Sequence, residues 1–219
     1  MSAPIGIFGG TFDPIHFGHL RAAFELSELV GLRKVLFIPA ADPPPRGPPL
    51  LDARTRLELV RAALEDEADF EVDDRELRRP GPSYTVLTLE ELRAEFGLQQ
   101  SLVLLLGMDA FLGLPGWHRW QALLGLAHIA VAHRPGARPE FPDELAALVA
   151  TRGTTLADDL RQAPAGRILI HPGTQLDISS TDLRAALRGG RDPRYLMPEP
   201  VRRMILATGI YALSRDAGE

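Results

Sequence analysis

Residues 5–20 read Ile5-Gly6-Ile7-Phe8-Gly9-Gly10-Thr11-Phe12-Asp13-Pro14-Ile15-His16-Phe17-Gly18-His19-Leu20. The apolar residues at the start of this stretch have the length and branching that are typical of a buried strand. After it, apolar side chains recur with helical spacing through residue 29, and charged residues lie between them. The stretch therefore predicts a turn that leads from a strand into a helix.

The turn combines glycines with histidines in a way that suits a phosphate. Gly9 and Gly10 omit side chains where a phosphate would approach the backbone. A helix that begins near Gly18 directs free N–H groups and its positive dipole end toward the same point. His16 and His19 are three residues apart, so both imidazoles can face one anion. The turn predicts a site for a nucleoside triphosphate.

Each feature of the turn, taken alone, also has a simpler interpretation. Two glycines after a strand often form only a turn, and a pair of histidines in a loop is often structural. A His-x-x-His pair is also half of a common zinc site, but the chain contains no cysteine. No third ligand pattern lies nearby, which argues against zinc.

Further apolar runs predict the rest of a sheet. Strand-like segments lie at residues 35–39, 70–72, 102–106, 127–133 and 168–170. Helical segments alternate with them, at residues 53–64 after the N-cap Asp52, at 85–96 after the N-cap Ser83, and at 180–188 and 198–208. The alternation predicts an α/β fold, a doubly wound Rossmann-like parallel sheet with helices on both faces and a helical C-terminal part.

The length of 219 residues fits a single domain over residues 1–219. The polar, proline-containing segment 135–165 predicts a surface excursion, and residues 178–219 predict the C-terminal helical part. Ligands of doubly wound sheets bind beyond the carboxyl ends of the strands. The first motif and Gly107-Met108-Asp109 both fall at such ends.

A second phosphate-binding pattern opens the helix at residue 180. It reads Ile178-Ser179-Ser180-Thr181-Asp182-Leu183-Arg184. Hydroxyl residues at a helix start are usually N-caps. The same geometry also presents N–H groups and hydroxyls to an anion, and Arg184 lies about one turn into the helix on the face of Ser180 or Thr181.

Together, the two patterns resemble the signatures of the nucleotidyltransferase superfamily. These are Gly-(Thr/Ser)-Phe-Asp-Pro with His-x-Gly-His, and Ile-Ser-x-Thr-x-x-Arg. The resemblance implies catalytic roles for His16, His19 and Arg184. It also implies an ATP site that includes Gly9, Gly10, Thr11, Phe12, Gly18, Ile178, Ser179, Ser180 and Thr181.

Motifs in the middle of the chain indicate which family of the superfamily the sequence resembles. It contains Gly81-Pro82-Ser83-Tyr84-Thr85, Leu106-Gly107-Met108-Asp109, Pro115-Gly116-Trp117 and His133-Arg134-Pro135-Gly136. These segments are similar to successive motifs of the bacterial nicotinate-nucleotide adenylyltransferases. The similarity implies that the chain joins ATP to nicotinate mononucleotide, by direct attack on the α-phosphate, and yields nicotinate adenine dinucleotide and pyrophosphate.

The same similarity implies the roles of individual residues. The pyridine ring stacks on Trp117, its carboxylate meets Thr85, and Asp109 holds ribose hydroxyls. Tyr84 and Arg134 complete the implied mononucleotide site, and Gly107 belongs to the implied ATP site. A flat cationic ring favours an aromatic face, and a buried carboxylate needs donors.

Ordinary structural roles stay open for three of these residues. Trp117 can be a packing aromatic, Asp109 a helix cap and Thr85 a first-turn residue. At the level of function, the alternatives are a nicotinamide-preferring or dual-specificity enzyme, a phosphopantetheine adenylyltransferase, and a nucleotide sensor without catalytic activity.

One loop departs from the family pattern. Pro43-Pro44-Pro45-Arg46 stands where the family usually carries Pro-Pro-His-(Lys/Arg). Because proline replaces the histidine, a phosphate donor is missing, and only Arg46 is carried over as an ATP-binding residue. We therefore expect His16 and His19 to carry more of the phosphate binding.

The composition limits the partners. A net charge of −5 and a single lysine, Lys34, argue against nucleic acid as a ligand. The lack of cysteine, of a long apolar run and of a leader-like start predicts a cytoplasmic protein that does not bind membranes. Mg²⁺ is expected with ATP, held mainly by phosphates and water, with Asp13 as a weak candidate protein ligand. A homo-oligomer remains open.

Overall fold

A parallel sheet forms the centre of the molecule. The computed structural model describes residues 2–43, 49–133, 140–174 and 176–211. Its strands are β1 Ile5–Gly10, β2 Lys34–Pro39, β3 Phe70–Val72, β4 Leu102–Gly107, β5 His128–His133, β6 Gly153–Thr154 and β7 Ile168–Pro172. Within the described residues, these seven strands form one sheet in the order β3-β2-β1-β4-β5-β7-β6, and neighbouring strands are parallel.

Helices connect the strands and cover both faces. They are α1 Phe17–Val30, α2 Ala53–Ala63, α3 Arg75–Arg78, α4 Thr85–Phe96, α5 Met108–Leu112, α6 Leu123–Leu126, α7 Asp143–Arg152, α8 Asp159–Gln162, α9 Ser180–Arg188 and α10 Glu199–Thr208. Short 3₁₀ turns lie at Leu114–Gly116 and Trp120–Ala122. Across the described ranges, none of these helices is both long and apolar enough to cross a membrane.

The central strands are apolar because both of their faces are buried. In β4, Val103 and Leu105 point into one hydrophobic cluster, and Leu102 and Leu104 point into the other. Successive side chains of a strand alternate between faces, so a strand covered on both sides needs a continuous apolar run. Helices α1, α2, α9 and α10 contribute to the first cluster, and α4, α5, α6 and α7 contribute to the second.

The strand order reverses between β1 and β4. The chain moves outward from β1 through β2 to β3, and then returns to pair β4 with the other side of β1, where Ile7 lies opposite Leu104. The carboxyl ends of β1 and β4 are therefore neighbours, with a helix leaving each strand toward a different face. This is the position where doubly wound sheets bind ligands.

Most of the predicted elements are confirmed, but one of the two predicted helix caps is not. Asp52 caps α2 as predicted, since its carboxylate accepts the Thr55 N–H at 2.9 Å. Ser83 does not cap α4, and the prediction was wrong. Tyr84 occupies the N-cap position, and the Ser83 hydroxyl instead accepts the N–H groups of Ala41 and Asp42 at 2.8 and 3.1 Å.

The segment predicted as a surface excursion adds an edge strand to the sheet. It contains α7, β6 and α8, and β6 pairs with β7. Leu145 of α7 and Leu160 of α8 are fully buried. Two residues, Gly153 and Thr154, are too few to show a strand period, so the sequence did not reveal β6. The short helices α3, α5 and α6 were not predicted either.

Candidate active site

The two histidines of the first motif stack on each other beside the end of β1. His16 is the N-cap residue of α1 and His19 is its third residue. Their ring centroids are 3.7 Å apart, with 27° between the ring planes. The backbone N–H of His16 donates to Nδ1 of His19 at 3.3 Å, so the proton of a neutral His19 ring lies on Nε2.

His16 has an unsatisfied polar atom. Its side chain is only 4% exposed, and Nδ1 has no hydrogen-bond partner within the described part of the chain. Burial lowers the pKa of His16 from 6.5 to about 4. Burial, and secondarily the charge of His16, lower the pKa of His19 well below its usual value. Both rings are therefore neutral near pH 7, and each can donate one N–H to an anion.

The three glycines of this motif differ in what a side chain at each position would contact. A Cβ on Gly9 would meet no atom of the described residues within 4 Å, so the space above it among these residues is open to a ligand. A Cβ on Gly10 would lie 2.8 Å from the ring of Phe12. At Gly18 it would lie 2.9 Å from Nδ1 of His16 and 3.3 Å from the carbonyl oxygen of Ile178. Gly9 leaves room for a phosphate, whereas Gly10 and Gly18 make room for neighbouring protein groups.

Thr11 and Phe12, both predicted to bind ATP, lie in the loop that follows. The Phe12 ring is 2% exposed and packs on Phe8 and Phe37 in the core, and its backbone has a φ of 51°. A role of Phe12 at a ligand is therefore restricted to its backbone. The carbonyl oxygen of Thr11 is held by Nη1 of Arg56 at 2.6 Å.

The carboxylate of Asp13 does not suit a metal ion. The weak prediction that Asp13 is a protein ligand of Mg²⁺ is therefore corrected. The Asp13 carboxylate is 4% exposed, and both oxygens already accept hydrogen bonds. Oδ2 accepts the N–H of Leu50 at 2.8 Å, and Oδ1 accepts the hydroxyl of Tyr211 at 2.5 Å. Burial, and secondarily the hydrogen bond to Asp13, raise the pKa of Tyr211. The described residues contain no group of three or more side chains that could hold a metal.

The second motif is joined directly to the first. The hydroxyl of Ser180 donates to the carbonyl oxygen of Pro14 at 2.9 Å. Nη1 of Arg184 donates to the carbonyl oxygen of Asp13 at 2.7 Å, and Nη2 donates to the hydroxyl of Thr181 at 3.2 Å. The start of α9 therefore lies against the loop that precedes α1, and two helix N-termini converge on one region.

The other two residues of the second motif that were predicted to bind ATP, Ser179 and Ile178, have mainly structural contacts. The hydroxyl of Ser179 accepts the N–H of Asp182 at 3.1 Å and donates to its carboxylate at 2.6 Å. Ser179 is thus the N-cap of α9, and its side chain is engaged inside the helix rather than free for ATP. Ile178 packs against the first hydrophobic cluster, and its carbonyl oxygen lies over Gly18.

Gly107 and Asp109 lie at the carboxyl end of β4, beside the first motif. Gly107 is the N-cap of α5, and a Cβ there would meet no atom within 4 Å in the part of the chain that the structure describes. Asp109 lies in the first turn of α5, and its side chain is exposed. Both predicted residues therefore face open space at the point where the strand order reverses.

Tyr84, just before α4, lies against the loop after α5, which carries Trp117. Thr85 is the first residue of α4, and its hydroxyl has no hydrogen-bond partner within the described ranges. Tyr84 stacks on His118, with centroids 4.2 Å apart and 24° between the planes. The half-buried side chains of Tyr84 and Trp117 both pack against the second hydrophobic cluster. Arg119 binds Glu90 of α4 at 2.8 Å, which ties the loop to the helix.

Two predicted site residues, Arg46 and Arg134, lie outside the described residues, as does the proline that replaces the expected histidine. Three residues that contact the site were not predicted from the sequence: Arg56, His118 and Tyr211. A signal existed for Arg56. It falls on the buried stripe of α2, four residues before Val60 and seven before Ala63, where an apolar residue is the usual choice.

Comparison with known proteins places this chain in a family. The cytidylyltransferase-like family model matches residues 7–186. A protein of Halorhodospira halophila named "Probable nicotinate-nucleotide adenylyltransferase" is 52% identical over 207 residues, which are 94% of each chain. A protein of the same name from Dechloromonas aromatica is 49% identical and covers 96% of this chain and 99% of its own.

A solved structure shares the fold. The Plasmodium falciparum nicotinic acid mononucleotide adenylyltransferase complexed with NaAD superposes with a TM-score of 0.72 at 14% identity, over 95% of this chain and 97% of that one. At this identity the likeness concerns the fold alone. The two converging phosphate motifs and the matches over nearly the whole chain lead to one conclusion: the chain belongs to the cytidylyltransferase-like nucleotidyltransferases and, within them, to the family of the nicotinate-nucleotide adenylyltransferases.

Proposed function

We propose that the protein transfers the adenylyl group of ATP to nicotinate mononucleotide, forming nicotinate adenine dinucleotide and pyrophosphate. One observation carries the proposal. The hydrogen bonds from Ser180 to Pro14 and from Arg184 to Asp13 join two helix N-termini at the carboxyl end of β1. Two such termini can hold different phosphates of one triphosphate. The names of the curated relatives support the same reaction.

The reaction needs no general base. The 5′-phosphate of the mononucleotide is anionic at neutral pH, because the second pKa of a phosphate monoester is about 6. One of its oxygens attacks the α-phosphorus of ATP, the bond from that phosphorus to the β-phosphate bridging oxygen breaks, and pyrophosphate leaves on the opposite side. The neutral state of His16 and His19 fits this scheme, since they have to donate hydrogen bonds rather than remove a proton.

The protein contributes position and charge stabilisation. His16, which has a buried ring nitrogen without a partner among the described residues, and His19 would donate to the α-phosphate as negative charge builds there. The open space over Gly9 lets that phosphate approach the backbone. Thr181 and Arg184, at the start of α9, would receive the leaving pyrophosphate.

Mg²⁺ is the cation that we expect with ATP. The donor set of the first motif fits an ion that is held by phosphate oxygens and water, because the carboxylate of Asp13 is buried and each of its oxygens already accepts a hydrogen bond, from Leu50 or Tyr211. Such an ion would neutralise part of the phosphate charge. We assign it no protein ligand.

The pyridine ring would bind between α4 and the loop after α5. The face of Trp117 and the stacked pair Tyr84–His118 supply aromatic surface for a cationic ring. The hydroxyl of Thr85 and the N–H groups at the start of α4 supply donors for the ring carboxylate. This donor set favours nicotinate over the uncharged nicotinamide. Asp109, exposed at the end of β4, is the residue proposed for ribose hydroxyls.

The proposed partners are these two nucleotides, with no nucleic acid. The net charge is −5, and the single lysine, Lys34, pairs with Glu71 at 2.7 Å at the start of β2, at the opposite end of the strands from the site. A cytoplasmic setting stays part of the proposal, because a chain without cysteine suits a reducing compartment.

Pyrophosphate release tests the proposal directly. The protein is incubated with Mg²⁺, ATP and one of three acceptors: nicotinate mononucleotide, nicotinamide mononucleotide or phosphopantetheine. We expect turnover with the first acceptor, much weaker turnover with the second and none with the third. Preference for the second or third acceptor would contradict the assigned substrate. ATP binding without release of pyrophosphate from ATP in the presence of any of the three acceptors would identify a nucleotide sensor instead.

A further inference from the structure

A buried arginine lies beneath the phosphate loop. Arg56 of α2 is completely buried, and it donates to the backbone carbonyls of three segments. Nη1 contacts Thr11 at 2.6 Å, Nη2 contacts Ala41 at 3.3 Å, and Nε contacts Leu51 at 3.1 Å. Burial lowers the pKa of this guanidinium, and the charge of Asp13 opposes that effect. A buried charge is expensive, so its retention calls for a reason.

The contacts of Arg56 set the direction of a peptide group in the phosphate loop. The carbonyl of Thr11 points at Arg56. In a planar trans peptide the following N–H, here that of Phe12, points the opposite way. Arg56 therefore directs the Phe12 N–H away from the guanidinium, and Phe12 is a predicted ATP-binding residue whose side chain is buried in the core.

Two more buried groups complete the arrangement. The carboxylate of Asp13 balances the charge of Arg56 and is held by Leu50 N–H and the Tyr211 hydroxyl. We call Arg56, Asp13 and Tyr211 the loop brace. It fixes the loop between Thr11 and Asp13 from the interior, while Arg184 holds the carbonyl of Asp13 from α9.

We propose that the loop brace is a positioning device for the triphosphate, with Arg56 as its central residue. The inference rests on the proposed function for its effect on turnover. Arg56 does not contact substrate; it acts through the orientation of the Thr11–Phe12 peptide. Misplacement of a positioned group by about 1 Å can cost roughly 10²-fold in rate. The brace should therefore affect ATP more than the mononucleotide, because only its contact with Ala41, whose N–H donates to the Ser83 hydroxyl, leads toward the start of α4.

The chain offers a matched control in Arg93. This arginine of α4 is also buried, at 7% exposure, and it donates to the backbone carbonyls of Leu126, Gly97, Gln100 and Pro164. It shares with Arg56 the bracing of carbonyls by a buried guanidinium, but its contacts lie at the opposite end of the sheet. A loss that is merely structural would be similar for both.

The experiment compares Arg56→Lys with Arg93→Lys. Lysine keeps the charge but loses the planar fork that reaches several carbonyls. Each variant is assayed at a temperature equally far below its own Tm. We expect Arg56→Lys to lower kcat/KM for ATP by about tenfold or more, with a clearly smaller change in KM for nicotinate mononucleotide, within about threefold. Arg93→Lys should retain the wild-type constants. Equal effects in both variants, or wild-type kcat/KM for ATP in Arg56→Lys, would overturn the proposal.

A second, milder variant tests the loop brace in case Arg56→Lys does not fold. Tyr211→Phe keeps Arg56 and removes only the hydroxyl that holds Asp13. We expect at least about a threefold loss of kcat/KM for ATP without a change in KM for the mononucleotide; wild-type constants would overturn the role of the brace. Titration calorimetry with Mg·ATP gives the same comparison without turnover. If the wild-type protein binds ATP but forms no product, the proposed function fails, and the ATP affinities of these variants still decide the role of the brace.

Discussion

Nη1 of Arg184 donates a hydrogen bond of 2.7 Å to the carbonyl oxygen of Asp13, across 171 positions of the chain. The bond links α9 to the loop in front of α1. It places a guanidinium beside the helix start that carries His16 and His19. The same guanidinium also donates to the hydroxyl of Thr181, so Nη1 binds Asp13 and Nη2 binds Thr181.

Replacing Arg184 with lysine tests whether this fork matters. Lysine preserves the charge, but a single ammonium cannot hold Asp13 and Thr181 in the same planar geometry. We expect kcat to fall by roughly 10-fold to 100-fold in steady-state pyrophosphate assays. Arg188→Lys, on the exposed last turn of the same helix, is the control and should behave like the wild type. An unchanged kcat in Arg184→Lys would refute a role in the transition state.

Gly9 and Gly10 should differ sharply when each is replaced with alanine. At Gly9 the new methyl group fills open space, so Tm should stay within about one degree while the Kd for Mg·ATP rises about tenfold. At Gly10 the methyl group collides with the buried Phe12 ring, at 2.8 Å, which should lower the stability by about 1–3 kcal/mol. Thermal unfolding and ATP titration separate the two effects. A loss of stability in Gly9→Ala would show that this space belongs to the protein.

Gly18→Ala should disturb catalysis through His16. The added Cβ would lie 2.9 Å from Nδ1 of His16, so the imidazole has to shift. We expect kcat to fall by about 10²-fold with a smaller change in KM. Gly125→Ala is the matched control, because a Cβ on that residue of α6 meets none of the described atoms within 4 Å. If Gly18→Ala retains wild-type kcat, the position of the His16 ring is not critical.

The depressed pKa of His16 predicts how stability depends on pH. In the unfolded chain His16 titrates near 6.5, whereas in the folded protein its pKa is about 4. Between these values the unfolded state binds more protons, so stability falls as the pH drops from about 6.5 to 4, by up to roughly 3 kcal/mol. Urea unfolding at pH 7, 5.5 and 4.5 measures this loss.

His16→Asn provides the reference for that titration. Asparagine is a good N-cap, so α1 should still form. The variant lacks the His16 contribution and should lose less stability over the same pH range, although the share from His19 remains. Identical pH slopes for the two proteins would show that His16 is not held in its neutral form.

Thr85→Val tests the recognition of the ring carboxylate. Valine has the shape of threonine without the hydroxyl, so a donor to a buried carboxylate is lost, which costs about 1.5–3 kcal/mol for a charged partner. We expect kcat/KM to fall by roughly tenfold or more for nicotinate mononucleotide, and by much less for nicotinamide mononucleotide. Thr151→Val, whose hydroxyl binds only backbone carbonyls of α7, is the control. Equal losses for both mononucleotides would contradict the assignment.

Local patterns predicted most elements, because each depends on residues close together in the chain. The cap by Asp52 was recovered since its partner, Thr55, is three residues away. The prediction that Ser83 caps α4 was wrong, although it rested on the same kind of local pattern. The Ser83 hydroxyl binds the N–H groups of residues more than 40 positions earlier, and no local pattern reports such a contact. Strand β6 was not predicted, because a strand of two residues shows no periodicity in its sequence.

In the candidate site, too, the local sequence predicts some features, whereas others depend on contacts between distant residues. The residue types and spacing around His16, His19 and Arg184 are sufficient to indicate phosphate chemistry. They could not separate Gly9, which faces open space, from Gly10, which accommodates Phe12. Nor could they reveal that the carboxylate of Asp13 is already occupied.

The order of strands and helices, the two phosphate motifs and the family resemblance follow from local sequence, because propensity, spacing and capping act over a few residues. The convergence of α1 and α9, the brace of Arg56, Asp13 and Tyr211, and the pairing of Tyr84 with His118 arise only on folding. They join residues up to 198 positions apart, and such contacts form only when burial of the sheet on both faces brings distant segments together.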